Sequence, residues 1–338
     1  MDTIMMSNPS VTVLIPFYNS QAYLKAAIDS VLRQTFADLE LLLVDDASTD
    51  ASRAIVQDYD DPRLRLICND KNRGVVYSRN RGLEEAKAPI IALLDADDVA
   101  MLDRIASQHA YMKSHPQLMM VGGQAEVIDA QGISTGEYYL MPTGATSVAV
   151  ELLFRNVFVN STVMFRKEAI SIVGGYEGWA YAEDYRFAFR MAERFPVANL
   201  DKVLVQYRIH EQNMSKTADL MKKGEKQLIS YVHQRFGIAE DVQLQETHLS
   251  LIHPRLDREP SLMDYFNLFA ELSKGNEKAG IFPKEVLNRE LFLRWYAMIR
   301  QSSNKEALRL FFKKPLFQPR YASFKMYRKV FKQAMGFS

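Results

Sequence analysis

The sequence predicts an α/β fold, a mostly parallel sheet with helices on both faces, followed by a mainly helical region. Three observations carry this. The first hundred residues alternate strand and helix three times and finish on a fourth strand. These strands are almost continuously apolar, as strands are when helices cover both faces. Polar clusters (Tyr18-Asn19, Asp45-Asp46 and Asp95-Ala96-Asp97-Asp98) stand at strand ends, and sites of such sheets lie beyond the carboxyl ends of the strands.

The elements follow in order. Val11 to Pro16 is a β-branched run closed by proline. Asn19 or Ser20 can cap the next helix, whose Leu24, Ala27, Ile28, Val31 and Leu32 recur at helical spacing. Leu39 to Val44 is the second strand, and the turn 47–50 opens a helix to about Tyr59. Leu64 to Cys68 is the third strand, Gly74 to Ala86 the third helix and Ile90 to Leu94 the fourth strand. Then the pattern loosens: a helix from Met101 to His115, short strands at 118–121 and 125–128, and a loop over 132–144. A helix at 148–154, a strand at 161–165, an amphipathic helix at 182–195 and a strand-like run at 202–207 complete the first part. Helices such as 222–236 and 286–299 dominate the rest, so the expected division is a domain of residues 1–215 (nucleotide-binding half about 10–100, acceptor-binding half about 101–215) and a helical region of 216–338.

Composition narrows the function. With 48% hydrophobic and 25% charged residues the chain reads as globular rather than disordered. A net charge of +1 carries no nucleic-acid signature. Cys68 is the one cysteine, so no internal disulfide is expected. The start, MDTIMMSNPS, lacks a basic segment followed by an apolar one, and the apolar runs fall short of the roughly 20 residues that span a bilayer. The expectation is a cytoplasmic chain. VLIPFYNS has no glycine where a dinucleotide-binding turn needs GxGxxG, and no phosphate-binding P-loop is present.

Chemistry concentrates in the carboxylates. Asp95, Asp97 and Asp98 would repel one another unless a cation or solvent relieved them, and hard oxygen donors at a strand end suit Mg²⁺ or Mn²⁺. The competing reading is a solvated loop or a helix cap. Asp45 and Asp46 stand similarly open between ligand contact and capping, and Arg79 between anion binding and a solvated helix face. Glu183 and Asp184 open a helix, where the dipole favours acids, yet Trp179, Tyr181 and Tyr185 surround them as around a sugar-facing base. His210, in YRIHEQNMS, is a loop residue or a ligand.

Taken in order, VTVLIPFYN (11–19), Gln34-Thr35, VDDASTD (44–50), GVVYSRNRG (74–82), LLDADD (93–98) and Glu183-Asp184 resemble the inverting family 2 glycosyltransferases of GT-A fold, which use nucleotide-sugar donors. The resemblance covers about residues 10 to 215. It implies that Pro16, Phe17 and Tyr18 line the base pocket, that Asp46 binds the base edge and that Arg79 holds the nucleotide or phosphates. It further implies that Asp95 contacts the ribose and metal shell, that Asp97 ligates Mn²⁺ or Mg²⁺ with Asp98 in support, and that His210 joins near the metal. Asp184, or else Glu183, would be the catalytic base acting on a saccharide or lipid-linked acceptor. Asn160 stands where many relatives carry histidine, and QxxRW of processive synthases is missing. Asn160-Ser161-Thr162 also matches a glycosylation sequon, read here as incidental.

Residues 311–338 hold seven Lys/Arg, no acid and eight Phe/Tyr. This suits either an anionic membrane surface, which would make the chain peripheral at the inner face, or aromatic packing with solvated cations. The near-neutral total hides a split: residues 1–218 have 21 Lys+Arg and 28 Asp+Glu, a net of −7, and residues 219–338 have 21 and 13, a net of +8. A non-catalytic nucleotide-sugar-binding scaffold on the same fold is the competing function.

Overall fold

The computed structural model describes residues 8–177, 181–211, 213, 218–252, 260–302 and 306–334. It divides into two compact units, Met1–Leu152 with Asn156–Met221, and Leu153–Arg155 with Lys222–Ser338.

The first unit is built on strands β1 (Val11–Phe17), β2 (Leu39–Asp45), β3 (Leu64–Cys68), β4 (Ile90–Leu93) and β5 (Val99–Ala100). To these it adds β6 (Met120–Ile128), β7 (Ser134–Tyr139), β8 (Met164–Arg166) and β9 (Val197–Arg208). They form one sheet in the order β3-β2-β1-β4-β8-β6-β9-β5, with β7 on β6. The first four are parallel, with Val13 opposite Leu41 and Ala92. Sheet direction changes at β4, which pairs antiparallel with β8. Every residue of β1 and β2 is buried, as near-continuous apolar runs require. Helix α1 (Leu24–Leu32) buries Leu24, Ala27, Ile28 and Val31 against this sheet's core. Helices α2 (Ser52–Gln57), α3 (Val75–Glu85), α4 (Arg104–Ser114), α5 (Ala145–Glu151), α6 (Ile170–Val173) and α7 (Glu183–Ala192) complete the unit.

Three expectations are corrected. The two short strands at 118–128 are one strand, β6, running through Gly122-Gly123. A Cβ there would lie 2.6 Å from Phe158 Cδ1 and 2.4 Å from Leu204 Cδ1, so glycine marks close packing and not a break. The loop 132–144 contains β7, which escapes notice because all six of its residues are exposed and leave no apolar alternation. The strand expected at 161–165 begins instead as a 3₁₀ turn, Asn160–Thr162, closed by Thr162 N donating to Val159 O at 2.8 Å.

The second unit contains most of α8 (Ala218–Arg235), then α9 (Val242–Ile252), α10 (Leu262–Ala279), α11 (Lys284–Gln301), α12 (Glu306–Phe311) and α13 (Phe324–Ala334). Its core holds Phe269, Phe292, Trp295 and Phe311, all fully buried. Among the described residues no helix is long and apolar enough to cross a membrane.

Candidate active site

The strand ends of the first unit gather the acidic clusters. Asp45 is fully buried and serves its own loop, accepting from Ser48 N at 2.8 Å and from Arg53 Nη2 at 2.7 Å. Asp46 is also buried. Its oxygens accept from Asn69 Nδ2 at 2.6 Å, from Arg73 N at 3.0 Å and from Gly74 N at 2.7 Å. That ties β2 to the start of α3, where Gly74 turns at a φ of 85°. Neither aspartate caps the helix near Asp50: Asp45 holds the turn and the Arg53 side chain, and Asp46 holds the loop before α3. Of the three residues expected around the base, Pro16 and Phe17 are buried within β1, and Tyr18 is exposed at its end.

The loop after β4 separates its three aspartates by environment. Asp95 accepts from Asn160 Nδ2 at 2.9 Å and from Arg79 Nη2 at 3.1 Å, and its backbone N–H donates to Ser161 Oγ at 3.1 Å. Asp97 is 28% exposed and meets His210 Nε2 through Oδ2 at 2.9 Å. Asn213 Nδ2 lies 3.4 Å from the same oxygen. Asp98 is only 1% exposed and turned inward, accepting from Ser161 Oγ and, at 2.8 Å, from Arg208 N. Both of its oxygens are thus engaged by protein donors, Oδ2 by Ser161 and Oδ1 by Arg208 N. Burial, then the neighbouring aspartates, raises the pKa of Asp98 well above the usual carboxylate range and raises that of Asp97. Among the described residues no three His, Cys, Asp or Glu side chains are arranged to hold a metal by themselves.

Arg79 ties the loop to α7. It is 6% exposed, donates to Glu183 Oε1 at 2.6 Å and to Asp95 at 3.1 Å, and lies 5.3 Å from the Tyr176 ring. Burial opposes its charge, but Asp95 and Glu183 outweigh that and raise its pKa. It is therefore no solvated helix face. Behind the loop, Arg104 is fully buried and donates to Leu93 O at 2.7 Å. Burial lowers its pKa to about 9 against the pull of Asp98 and Asp95.

Glu183 and Asp184 open α7 directly after Ala182, whose φ of 59° is left-handed without being glycine. Glu183 is 9% exposed; burial raises its pKa to about 7 although Arg79 opposes the shift. Asp184 is half-buried, accepts from Asn156 Nδ2 at 3.1 Å, and is also raised by burial. Tyr185 does not line these acids as expected: its hydroxyl donates to Leu152 O at 2.9 Å inside the core. Trp179 lies outside the described residues.

Sequence reasoning missed Ser161, Arg208, Asn156 and Tyr176. Polar Asn160 and Ser161 beside an apolar run were the available signal, hidden by reading them as strand and sequon.

Comparison with known proteins gives the family. Residues 12–171 match the family described as Glycosyl transferase family 2. The amylovoran biosynthesis glycosyltransferase AmsE of Erwinia amylovora is 30% identical over 210 residues, 61% of this chain and 78% of that protein. The chain belongs to the family 2 glycosyltransferases. Another member similar to it is the Escherichia coli enzyme WfgD, a UDP-Glc:α-D-GlcNAc-diphosphoundecaprenol β-1,3-glucosyltransferase, 34% identical over 38% of this chain and half of its own. Residues 1–349 of S. aureus TarS with UDP-GlcNAc superpose at a TM-score of 0.58 with 15% identity, covering 96% of this chain and 89% of that one. The Pyrobaculum calidifontis mannosyltransferase PcManGT, with GDP-Man and Mn²⁺, gives 0.53 at 17% identity over 98% and 87%. These likenesses show the GT-A fold. In this glycosyltransferase the family match ends before α7, so Glu183, Asp184 and His210 lie outside it.

Proposed function

We propose that this family 2 glycosyltransferase moves a sugar from a nucleotide-diphospho-sugar, a UDP-sugar first among candidates, to a hydroxyl of a saccharide or lipid-linked acceptor. The transfer inverts the anomeric carbon in one displacement and serves bacterial surface polysaccharide synthesis, with residues 1–215 as the transferase domain. The observation that carries this reading is the division of labour among neighbouring acids: Asp97 stays partly exposed beside His210, Arg79 is held by Glu183, and Asp184 is left half-buried at the start of α7. The names of AmsE and WfgD support the polysaccharide and lipid-linked setting.

Inversion needs one base and no covalent nucleophile. Asp184 takes the acceptor hydroxyl proton, because its raised pKa lets it hold one and Arg79 is committed to Glu183 and Asp95. The acceptor oxygen bonds to the anomeric carbon as the bond to the diphosphate breaks, and the diphosphate leaves with the electron pair. Arg79 sets a permanent positive charge near that leaving group. Asp97 and His210 fit a hard divalent cation, offering a partly exposed carboxylate and an imidazole, with further oxygens expected from the donor. Bound there, Mn²⁺ or Mg²⁺ supplies charge stabilisation to the departing nucleoside diphosphate. Residues 311–338 add a peripheral contact with an anionic membrane. Phe324 is 83% exposed and Lys325, Arg328 and Lys329 face solvent, although Phe311, Phe312, Phe317 and Tyr327 pack on one another.

The test is a panel of UDP-glucose, UDP-GlcNAc and GDP-mannose with Mn²⁺, read as nucleoside diphosphate release with water as acceptor, and as UDP or GDP binding by titration. Wild type should turn over one donor slowly, and Asp97→Ala should lose turnover together with the Mn²⁺-dependent part of binding. Full turnover by Asp97→Ala overturns the assignment. Binding with no hydrolysis in wild type would favour a scaffold on the same fold.

A further inference from the structure

We propose that Asn156 is a positioning residue for Asp184, holding the carboxylate in one rotational setting toward the acceptor hydroxyl; this rests on the reading of Asp184 as the base. Asn156 stands between α5 and the 3₁₀ turn at Asn160, in the stretch RNVFVN. Its Nδ2 donates to Asp184 Oδ2 at 3.1 Å. Its Oδ1 accepts from Phe158 N at 3.1 Å. The second bond settles the first. A backbone N–H can only donate, so the amide oxygen must face Phe158 and the NH₂ group must face Asp184. The side chain is thereby anchored at one end and applied to the carboxylate at the other.

The surroundings of Asp184 explain why such a donor matters. Burial disfavours its charged form, and the Asp95 carboxylate adds repulsion. Glu183 precedes it on α7, and the Tyr176 ring packs near Arg79. Arg79 attracts the Asp184 charge, but its guanidinium donates to Glu183 and Asp95. The backbone N–H of Tyr185 also favours the ionised form. Among the described residues, the side chain that donates to Asp184 is that of Asn156. A bond to the ionised form keeps the base unprotonated, and rotation of the carboxylate would break it.

The experiment compares wild type, Asn156→Ala, Asn156→Asp and Asp184→Asn, using the donor of the panel above that turns over, with Mn²⁺ and with water as acceptor. Asn156→Ala should lower kcat about 10- to 100-fold. Its KM for donor and its UDP or GDP binding should stay within about twofold of wild type, and the acidic limb of kcat against pH should move up by about one unit. Asn156→Asp keeps the shape and puts a second carboxylate beside the first, so its acidic limb should move up further. Asp184→Asn should keep donor binding and lose turnover. If Asp184→Asn turns over at the wild-type rate, the base is elsewhere and the Asn156 inference falls with it. If Asp184→Asn is inactive while both Asn156 variants keep the wild-type limb, the base stands and the positioning role is overturned. Loss of donor binding in step with kcat, the limb unmoved, overturns it equally by marking Asn156 as structural.

Discussion

Replacing Glu183 with Gln removes a proton-binding group from the buried start of α7 while keeping its shape. Two effects compete at this side chain. Burial favours the neutral form, and Arg79, 2.6 Å away, favours the charged one. Burial wins, raising the pKa from 4.5 to about 7. At about 1.36 kcal/mol per unit this amounts to roughly 3 kcal/mol. The sign follows from proton counting. Below pH 4.5 both the folded and unfolded states hold the proton, and the stabilisation is fully present; as pH rises through 7 the folded state must give it up, and the stabilisation is lost. The assay is hydrogen exchange at the β1 and β4 amides, which report opening of this unit, from pH 4.5 to 8 in both proteins. The raised groups Asp97, Asp98 and Asp184 titrate in both and largely cancel in the difference. Wild-type stability relative to Glu183→Gln should fall by roughly 3 kcal/mol across that range. A difference that stays flat, or rises with pH, would show that the Arg79 ion pair outweighs burial and refute the reasoning.

Two further predictions concern the second unit. His248 donates from Nε2 to Leu153 O at 2.6 Å and accepts at Nδ1 from His233, with burial lowering its pKa to about 4; His248→Gln should therefore reduce the loss of helical-unit stability between pH 6.5 and 4 by roughly 3 kcal/mol, measured by exchange at α9 amides. For the tail, wild type should co-sediment with vesicles containing phosphatidylserine and not with neutral ones, whereas K325E/R328E/K329E should stay in the supernatant; equal sedimentation of both proteins would remove the membrane contact.

The parallel half of the sheet was legible because β1, β2 and β4 are buried on both faces and leave near-continuous apolar runs, while the partly buried β3 still shows Leu64, Leu66 and Ile67. Val11 to Phe17 and Leu39 to Asp45 announce themselves without reference to anything else. β7 could not, since all six of its residues face solvent. The site was legible as a set of positions but not as a set of roles. Asp95, Asp97 and Asp98 are equivalent letters in a short run, yet Ser161 and the backbone of Arg208 draw Asp98 inward while Asp97 stays open to His210. Ser161 and Arg208 stand 63 and 110 residues away from Asp98. No local pattern encodes such a choice, because it is made by partners that only the fold assembles. Asn156 escaped for the same reason: nothing in RNVFVN points to an acid on another helix.

One cause accounts for the opposite pH responses of the buried acids at the site and the buried histidines of the helical unit. Burial penalises charge, and a carboxylate is charged without its proton whereas an imidazole is charged with it. Glu183, Asp184, Asp97 and Asp98 are all raised, so these four acids bind protons on folding and the stability they contribute is lost as pH rises. His233 and His248 are lowered, so the helical unit releases protons on folding and weakens as pH falls. The acidic excess of residues 1–218 is therefore more than a surface property: part of it lies in the interior, at 95–98 and 183–184, faced by the buried cations Arg79 and Arg104. Arg104, lowered to about 9 yet still charged at neutral pH, is turned to Leu93 O, and Arg79 is shared between Asp95 and Glu183. On the proposed reading, a divalent cation arriving at Asp97 offsets the carboxylate charge there, and an anionic diphosphate arriving alone adds to it. The electrostatics that raises these acids thus makes the proposed site favour a donor entering with its metal over a donor entering bare.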